Sequence, residues 1–125
     1  MSAGRKIFII DDDPNITDVY STKLAADGYD VQTAPNAKAA ETKFAAGYAP
    51  DLILLDIIMP GDNGILLLDR MVKNPALAKT KILIFSNLDQ RSDIDDEILK
   101  KIAGYYLKVN MIPSEIAKKI AEILH

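Results

Sequence analysis

The chain has 125 residues, of which 49% are hydrophobic and 26% charged, and its formal net charge is −3. That allows one hydrophobic core, argues against disorder and leaves no basic footprint of the kind nucleic acid selects. With no cysteine in the sequence, disulfides and thiolate metal sites are excluded. The apolar runs are too short to span a membrane, and Met1–Lys6 is not backed by the apolar stretch of a secretion signal. The expectation is a single cytoplasmic domain over residues 1–125, with no membrane and no nucleic-acid partner.

Ile7-Phe8-Ile9-Ile10 is apolar at every position, as a strand buried on both faces requires. Asp13-Pro14 reads as an N-cap followed by proline at the first helical position. Ile16, Val19, Tyr20 and Leu24 follow at helical spacing, and Gly28 ends that helix. Tyr29, Val31 and Thr33 alternate with Asp30 and Gln32, which predicts a half-exposed second strand. Asn36 caps a second helix carrying Ala37, Ala40 and Phe44, and Gly47 stops it. Leu52-Ile53-Leu54-Leu55 is the next buried strand, and Met59-Pro60-Gly61-Asp62-Asn63-Gly64 has the residues of a loop. Ile65, Leu68, Met71 and Val72 mark a third helix ending near Asn74-Pro75, and Ile82-Leu83-Ile84-Phe85 a further apolar strand. Ile94, Ile98, Leu99 and Ile102 predict a fourth helix, Tyr105-Tyr106-Leu107 a short strand, and Ile116, Ile120 and Leu124 a final helix from about Pro113.

Strand and helix thus alternate five times. Such alternation implies an α/β fold, with parallel strands joined by right-handed crossovers and helices on both faces. The wholly apolar runs belong in the middle of the sheet and the second and fifth strands at its edges. This is the 2-1-3-4-5 order of the flavodoxin-like doubly wound class, whose ligands bind outside the carboxyl ends of the strands, at the switch point. There the first strand ends in Asp11-Asp12-Asp13, the third in Asp56, the fourth in Ser86 and the fifth in Lys108.

Clustered carboxylates repel one another, and a hard divalent cation with oxygen ligands relieves that repulsion. A carboxylate can also attack phosphorus to give an aspartyl-phosphate. Beside it, Lys108 would supply a second positive contact and Ser86 a hydrogen bond to a phosphoryl oxygen. Taken singly, these residues have plainer readings. The Asp11–Asp13 run could be a turn with a helix cap, Asp56 and Ser86 strand ends, and Lys108 a solvated edge lysine. It is their joint placement at the strand ends that points to chemistry. His125, the only histidine, is a chain end, which excludes any two-histidine site.

The segments IFIIDDDPNI, DLILLDIIMPGDNG, ILIFSN and YYLK resemble the receiver domain of two-component response regulators, in a stand-alone, chemotaxis-regulator-like form, over essentially the whole chain. The resemblance implies that Asp56 accepts a phosphoryl group from the phosphohistidine of a sensor kinase or phosphotransfer protein. It implies Mg²⁺ or Mn²⁺ held by Asp11, Asp12, Asp56 and the backbone carbonyl of Ile58, with Asp12 the more direct acidic ligand of the pair. Ser86 takes the switch hydroxyl position, Lys108 the lysine position and Tyr105 the switch aromatic position. Activity would be limited to self-phosphorylation and self-dephosphorylation, with no turnover of an external substrate. Partners would be the kinase and a downstream protein target, and a homodimer through the fourth helix, fifth strand and fifth helix fits the same pattern. No output domain follows the final helix, so the chain is expected to act by docking, or as a part of something larger.

The sequence departs from the family pattern on one side. Val109 follows the lysine where the family usually has a proline joined by a cis bond. A cis bond before a non-proline residue costs about 2.5–4 kcal/mol, so a trans bond is expected here. Asn87 replaces a small residue after the switch hydroxyl. Lys101-Ile102 replaces a Gly-Ala pair, and Gly104 lies closer to the fifth strand than usual. Two other functions fit the sequence: a phosphate-independent pseudo-receiver that only binds, and a small Mg²⁺-dependent hydrolase with an aspartate nucleophile. The hydrolase would need a cap for which the short chain has no insertion.

Overall fold

The computed structural model describes residues 4–59 and 61–125. Pro60, read above as part of a loop, and Met1–Ala3 of the N-terminal segment lie outside the described residues. Five strands form one parallel sheet: β1 (Lys6–Ile10), β2 (Asp30–Ala34), β3 (Leu52–Leu55), β4 (Lys81–Ser86) and β5 (Gly104–Leu107). Their order is β2-β1-β3-β4-β5, so the apolar runs occupy the centre and the two less apolar strands the edges, as the sequence predicts.

Alternate residues of each central strand serve opposite layers. Ile7, Ile9, Leu52, Leu54, Leu83 and Phe85 pack against α1 (Pro14–Ala26) and α5 (Pro113–Leu124). Phe8, Ile10, Ile53, Leu55, Ile82 and Ile84 pack on the other side, against α2 (Ala37–Ala45) and α3 (Gly64–Lys73). Period-two side-chain alternation makes one run of apolar residues serve both layers.

The caps set where the helices begin. Asp13 accepts from the Asn15 amide at 2.9 Å, and Asn36 from the Ala39 amide at 2.8 Å. Gly28 and Gly47, at φ of 99° and 96°, turn the chain out of α1 and α2.

Three stretches differ from the sequence reading. The loop after β3 contains a small antiparallel pair, Ile58–Met59 with Asp62–Asn63, turned at Gly61 with φ of 78°. The Asn63 side chain then caps α3 through the Ile65 and Leu66 amides, at 3.1 and 3.2 Å. In β2 the alternation fails at its end, since Thr33 is exposed while Gln32 is half-buried and accepts from Lys43 of α2 at 2.9 Å. The fourth helix is a single turn, α4 (Asp96–Leu99), which leaves Ile94 and Ile102 outside it. Asp95 restarts the helix after Ile94 by accepting from the Glu97 amide at 2.9 Å. At the far end the Ala103 amide already donates to the Ile82 carbonyl at 2.7 Å, so little chain remains for helix before Gly104 opens β5.

Candidate phosphorylation site

The carboxyl ends of β1, β3, β4 and β5 meet on one side of the sheet. Asp11 follows β1, and its amide donates to the Ala34 carbonyl at 3.0 Å. Asp56 follows β3, and its amide donates to the Ile10 carbonyl at 2.9 Å. These backbone bonds extend the ladder past the strand ends, so both acids leave the sheet at fixed heights. Each is 3% exposed. Asp12 is exposed, and one oxygen from each of Asp11, Asp12 and Asp56 lies within 4.8 Å of the others.

Lys108, directly after β5, joins the two buried acids. Its Nζ lies 2.8 Å from Asp11 Oδ2 and 3.0 Å from Asp56 Oδ2, with its side chain only 8% exposed. The solvated edge lysine that residue type alone suggests is therefore not what the fold builds. The remaining oxygen of Asp56, Oδ1, accepts from the Ile58 amide at 2.9 Å and from Ser86 Oγ at 3.2 Å. Asp11 Oδ1 accepts from the Asp13 amide at 2.9 Å.

Burial is the largest influence on Asp11 and raises its carboxyl above the ordinary range, with the Asp56 charge adding to it; the Lys108 and Asp13 hydrogen bonds pull the other way. For Lys108, burial disfavours the charge, but the hydrogen bonds and negative charges of Asp11 and Asp56 outweigh it and hold the ammonium above its usual value. Lys108 thus supplies a cation among the buried acids.

Gly64 sets the loop that follows Asp56. A Cβ there would lie 2.4 Å from both the Cα and the carbonyl oxygen of Ile57, which only glycine avoids. Close approach of the α3 N-terminus to Ile57 in turn places the Ile58 amide on Asp56.

Tyr105 is not in the acidic cluster. Its hydroxyl donates to the Leu88 carbonyl at 2.6 Å and accepts from the Gln90 amide at 2.8 Å, tying β5 to the loop after β4. The Arg91 guanidinium stands 5.6 Å from the ring centroid and pairs with Asp89. Neither Gln90 nor Arg91 is marked by the sequence, because each acts through the position of Tyr105. The Lys108–Asn110 segment is a 3₁₀ turn, with no cis bond among the described residues, and Lys108 still reaches both acids. The Asn87 side chain is exposed.

Residues 7–121 match the response regulator receiver domain family. Among curated proteins, the DNA-binding dual master transcriptional regulator RpaA of Synechocystis is 31% identical over 96% of this chain and 56% of its own length. The phosphate regulon transcriptional regulatory protein PhoB of Pseudomonas aeruginosa is 28% identical over 97% of this chain and 52% of its own. The chain spans about half the length of these two relatives. Among solved structures, a CheY-like receiver domain protein of Methanospirillum hungatei superposes with a TM-score of 0.84 at 26% identity, covering 96% of this chain and 93% of that one. The response regulator TrrA of Thermotoga maritima, solved in complex with Mg²⁺-BeF, gives 0.78 at 29% identity, covering 97% and 99%. By sequence and by fold, the chain belongs to the response regulator receiver domain family.

Proposed function

We propose that this receiver accepts a phosphoryl group on Asp56 from the phosphohistidine of a sensor kinase or phosphotransfer protein, and that the change is read by a protein target in the cytoplasm. The observation that carries this reading is the bridge made by Lys108 between two buried carboxylates, with Ser86 and the Ile58 amide on the nucleophile's other oxygen. A structural ion pair does not need that many groups converging on one carboxylate.

In the transfer, an Asp56 oxygen attacks phosphorus, a P–O bond forms, and the P–N bond to the imidazole breaks. Both Asp56 oxygens are occupied in this state, so the incoming group must draw Lys108 from Asp56 Oδ2 onto a phosphoryl oxygen. Ser86 Oγ, 3.2 Å from Asp56 Oδ1, is placed to follow onto another. Hydrolysis reverses the adduct: water attacks phosphorus, the acyl-phosphate bond breaks, and the carboxylate returns to Lys108.

Asp11, Asp12 and Asp56 offer only oxygen donors at close quarters, the set that Mg²⁺ or Mn²⁺ selects. Asp12, exposed and outside the Lys108 bridge, is the acid freest to bind such an ion, and the Ile58 carbonyl would add a neutral ligand. A bound divalent ion would offset charge on the transferring group.

Incubation with a small phosphodonor and Mg²⁺, followed by intact-mass measurement, tests the reading. One phosphoryl adduct on the wild type and none on Asp56→Asn is the expected result. No adduct on either protein, with the donor unconsumed, would make the chain a pseudo-receiver. Rapid donor consumption without an adduct would make it a hydrolase.

A further inference from the structure

A second cleft opens beside the phosphorylation site, between the Ile58–Met59 strand, the start of α3 and the loop that leads to α4. It has a volume of about 380 Å³, lined by Ile58, Met59, Asn63 and Ile65 from the strand pair and the start of α3, and by Gln90 and Asp93 from the loop that leads to α4. That volume is at the small end of side-chain and ligand pockets, so it admits an anchor residue and not a folded surface.

The wall at Asp93 is strongly acidic. Residues 89–97 carry Asp89, Asp93, Asp95, Asp96 and Glu97 against one Arg91, a net −4, while the whole chain carries only −3. The rest of the molecule therefore sums to +1, and the negative charge is concentrated here. All five acids are exposed. Three have local work: Asp89 pairs with Arg91, Glu97 with Lys100, and Asp95 caps α4. Among the described residues, Asp93 and Asp96 make no salt bridge, and no lysine or arginine lines the cleft.

We propose that this cleft docks a basic segment of a partner protein, with an aliphatic side chain seated on Ile58 and Ile65 and lysines or arginines facing Asp93 and Asp96. Charge complementarity selects the occupant. Phosphate backbones and anionic lipid surfaces would be repelled by the same wall. The apolar side gives the segment an anchor that charge alone lacks. One wall touches the proposed phosphoryl site, where the Ile58 amide donates to Asp56, and the other touches β5, where the Gln90 amide donates to Tyr105. An occupant therefore bears on the elements that phosphorylation would move, a coupling that rests on the reading of Asp56 above; the docking itself does not.

The test is an NMR titration of the full chain with a capped twelve-residue peptide of lysine, leucine and alanine, its leucines three and four residues apart. The proposal expects amide shifts centred on Ile58, Ile65 and Asp93. It expects affinity at least fivefold weaker for the peptide with alanine in place of leucine, and no binding when glutamate replaces lysine. Asp93→Asn combined with Asp96→Asn should weaken binding at least fivefold, with amide shifts in the core strands unchanged as the check on folding. Shifts confined to another face, equal binding by the alanine peptide, or unchanged affinity in the double variant would each overturn the proposal.

Discussion

β1 and β3 deliver Asp11 and Asp56 from strands buried at every position except Lys6, whereas β5 delivers Tyr105 and Lys108 from an edge strand whose residues are all half-exposed. The acids are fixed by sheet hydrogen bonds that continue one residue past the strands, and by packing on both faces. β5 pairs with β4 on one side only, and its end of the site is tied across by side-chain contacts: one ammonium on two carboxylates, and one phenol on two backbone groups of the loop after β4. Buried strands place Asp56, and a few polar contacts, each of modest net strength, tie the β5 side to it.

The largest test removes the tie between the two sides. Lys108→Met leaves Asp11 and Asp56 buried together without their cation. Breaking a buried pair from one end costs about 3 kcal/mol or more. Urea unfolding should show a loss of that size, and Mg²⁺ should stabilise the variant more than the wild type. A loss within about 0.5 kcal/mol, as for a surface lysine, would mean that the two sides are not coupled through this residue.

Asp12→Ala probes the acidic side alone. Asp12 is exposed and makes no ion pair among the described residues, so its removal should leave folding almost untouched. Mg²⁺ affinity should fall by about thirtyfold, roughly 2 kcal/mol. Isothermal titration with Mg²⁺ measures it, and an unchanged affinity would place the metal elsewhere.

The contrast between the two sides also decided what the sequence could reveal. β1, β3 and β4 were legible because a strand buried on both faces must be apolar throughout, and Asp11, Asp56 and Ser86 stand out as the first polar residues after such runs. The one-turn α4 was not, because Ile94, Ile98 and Ile102 keep helical spacing while only Ile98 lies in the helix. There the backbone bond from Ala103 to Ile82 overrides periodicity, and no composition signal announces a tertiary contact. Lys108 has the composition of a solvated lysine, and only topology brings it to two acids from 97 and 52 residues earlier in the chain. The contacts of Tyr105 with Leu88 and Gln90 are made to backbone, which side-chain identity does not encode.

A kinetic test asks whether the two sides jointly control the lifetime of the phosphorylated state. Ile58 follows Asp56 by two residues and Leu88 follows Ser86 by two; Ile58 is half-buried and Leu88 is 59% exposed. If these side chains flank the path of water to phosphorus, neither can hydrogen-bond a water and orient it, and their bulk should hinder its entry. Replacing Ile58 by Asn and Leu88 by Glu should speed phosphoprotein decay by about tenfold, or 1.4 kcal/mol of barrier. Decay is followed after donor removal with Mg²⁺ present. An equal or slower rate in the double variant would show that these side chains do not govern the water.

The smallest effect isolates the phenol that holds the loop. Tyr105→Phe keeps the ring beneath Arg91 but removes the oxygen that accepts from the Gln90 amide and donates to the Leu88 carbonyl. One hydrogen bond is worth about 1 kcal/mol net, so exchange of the Gln90 amide with solvent should quicken by about fivefold. The amides of β1 and β3 should not change, because the ring stays and neither hydrogen bond of the hydroxyl reaches those strands. Burial raises the Tyr105 hydroxyl above its ordinary 10.0. A group whose pKa is raised on folding contributes stability that is present below its unfolded value and lost as pH rises through the folded one. The stability difference between wild type and Tyr105→Phe should therefore stay constant up to about pH 10 and close above it. Denaturant midpoints of both proteins across that range measure the difference. If it closed at neutral pH, or if exchange quickened equally in β1, the phenol would be holding more than the loop, and the two sides of the site would be less separate than their hydrogen bonds indicate.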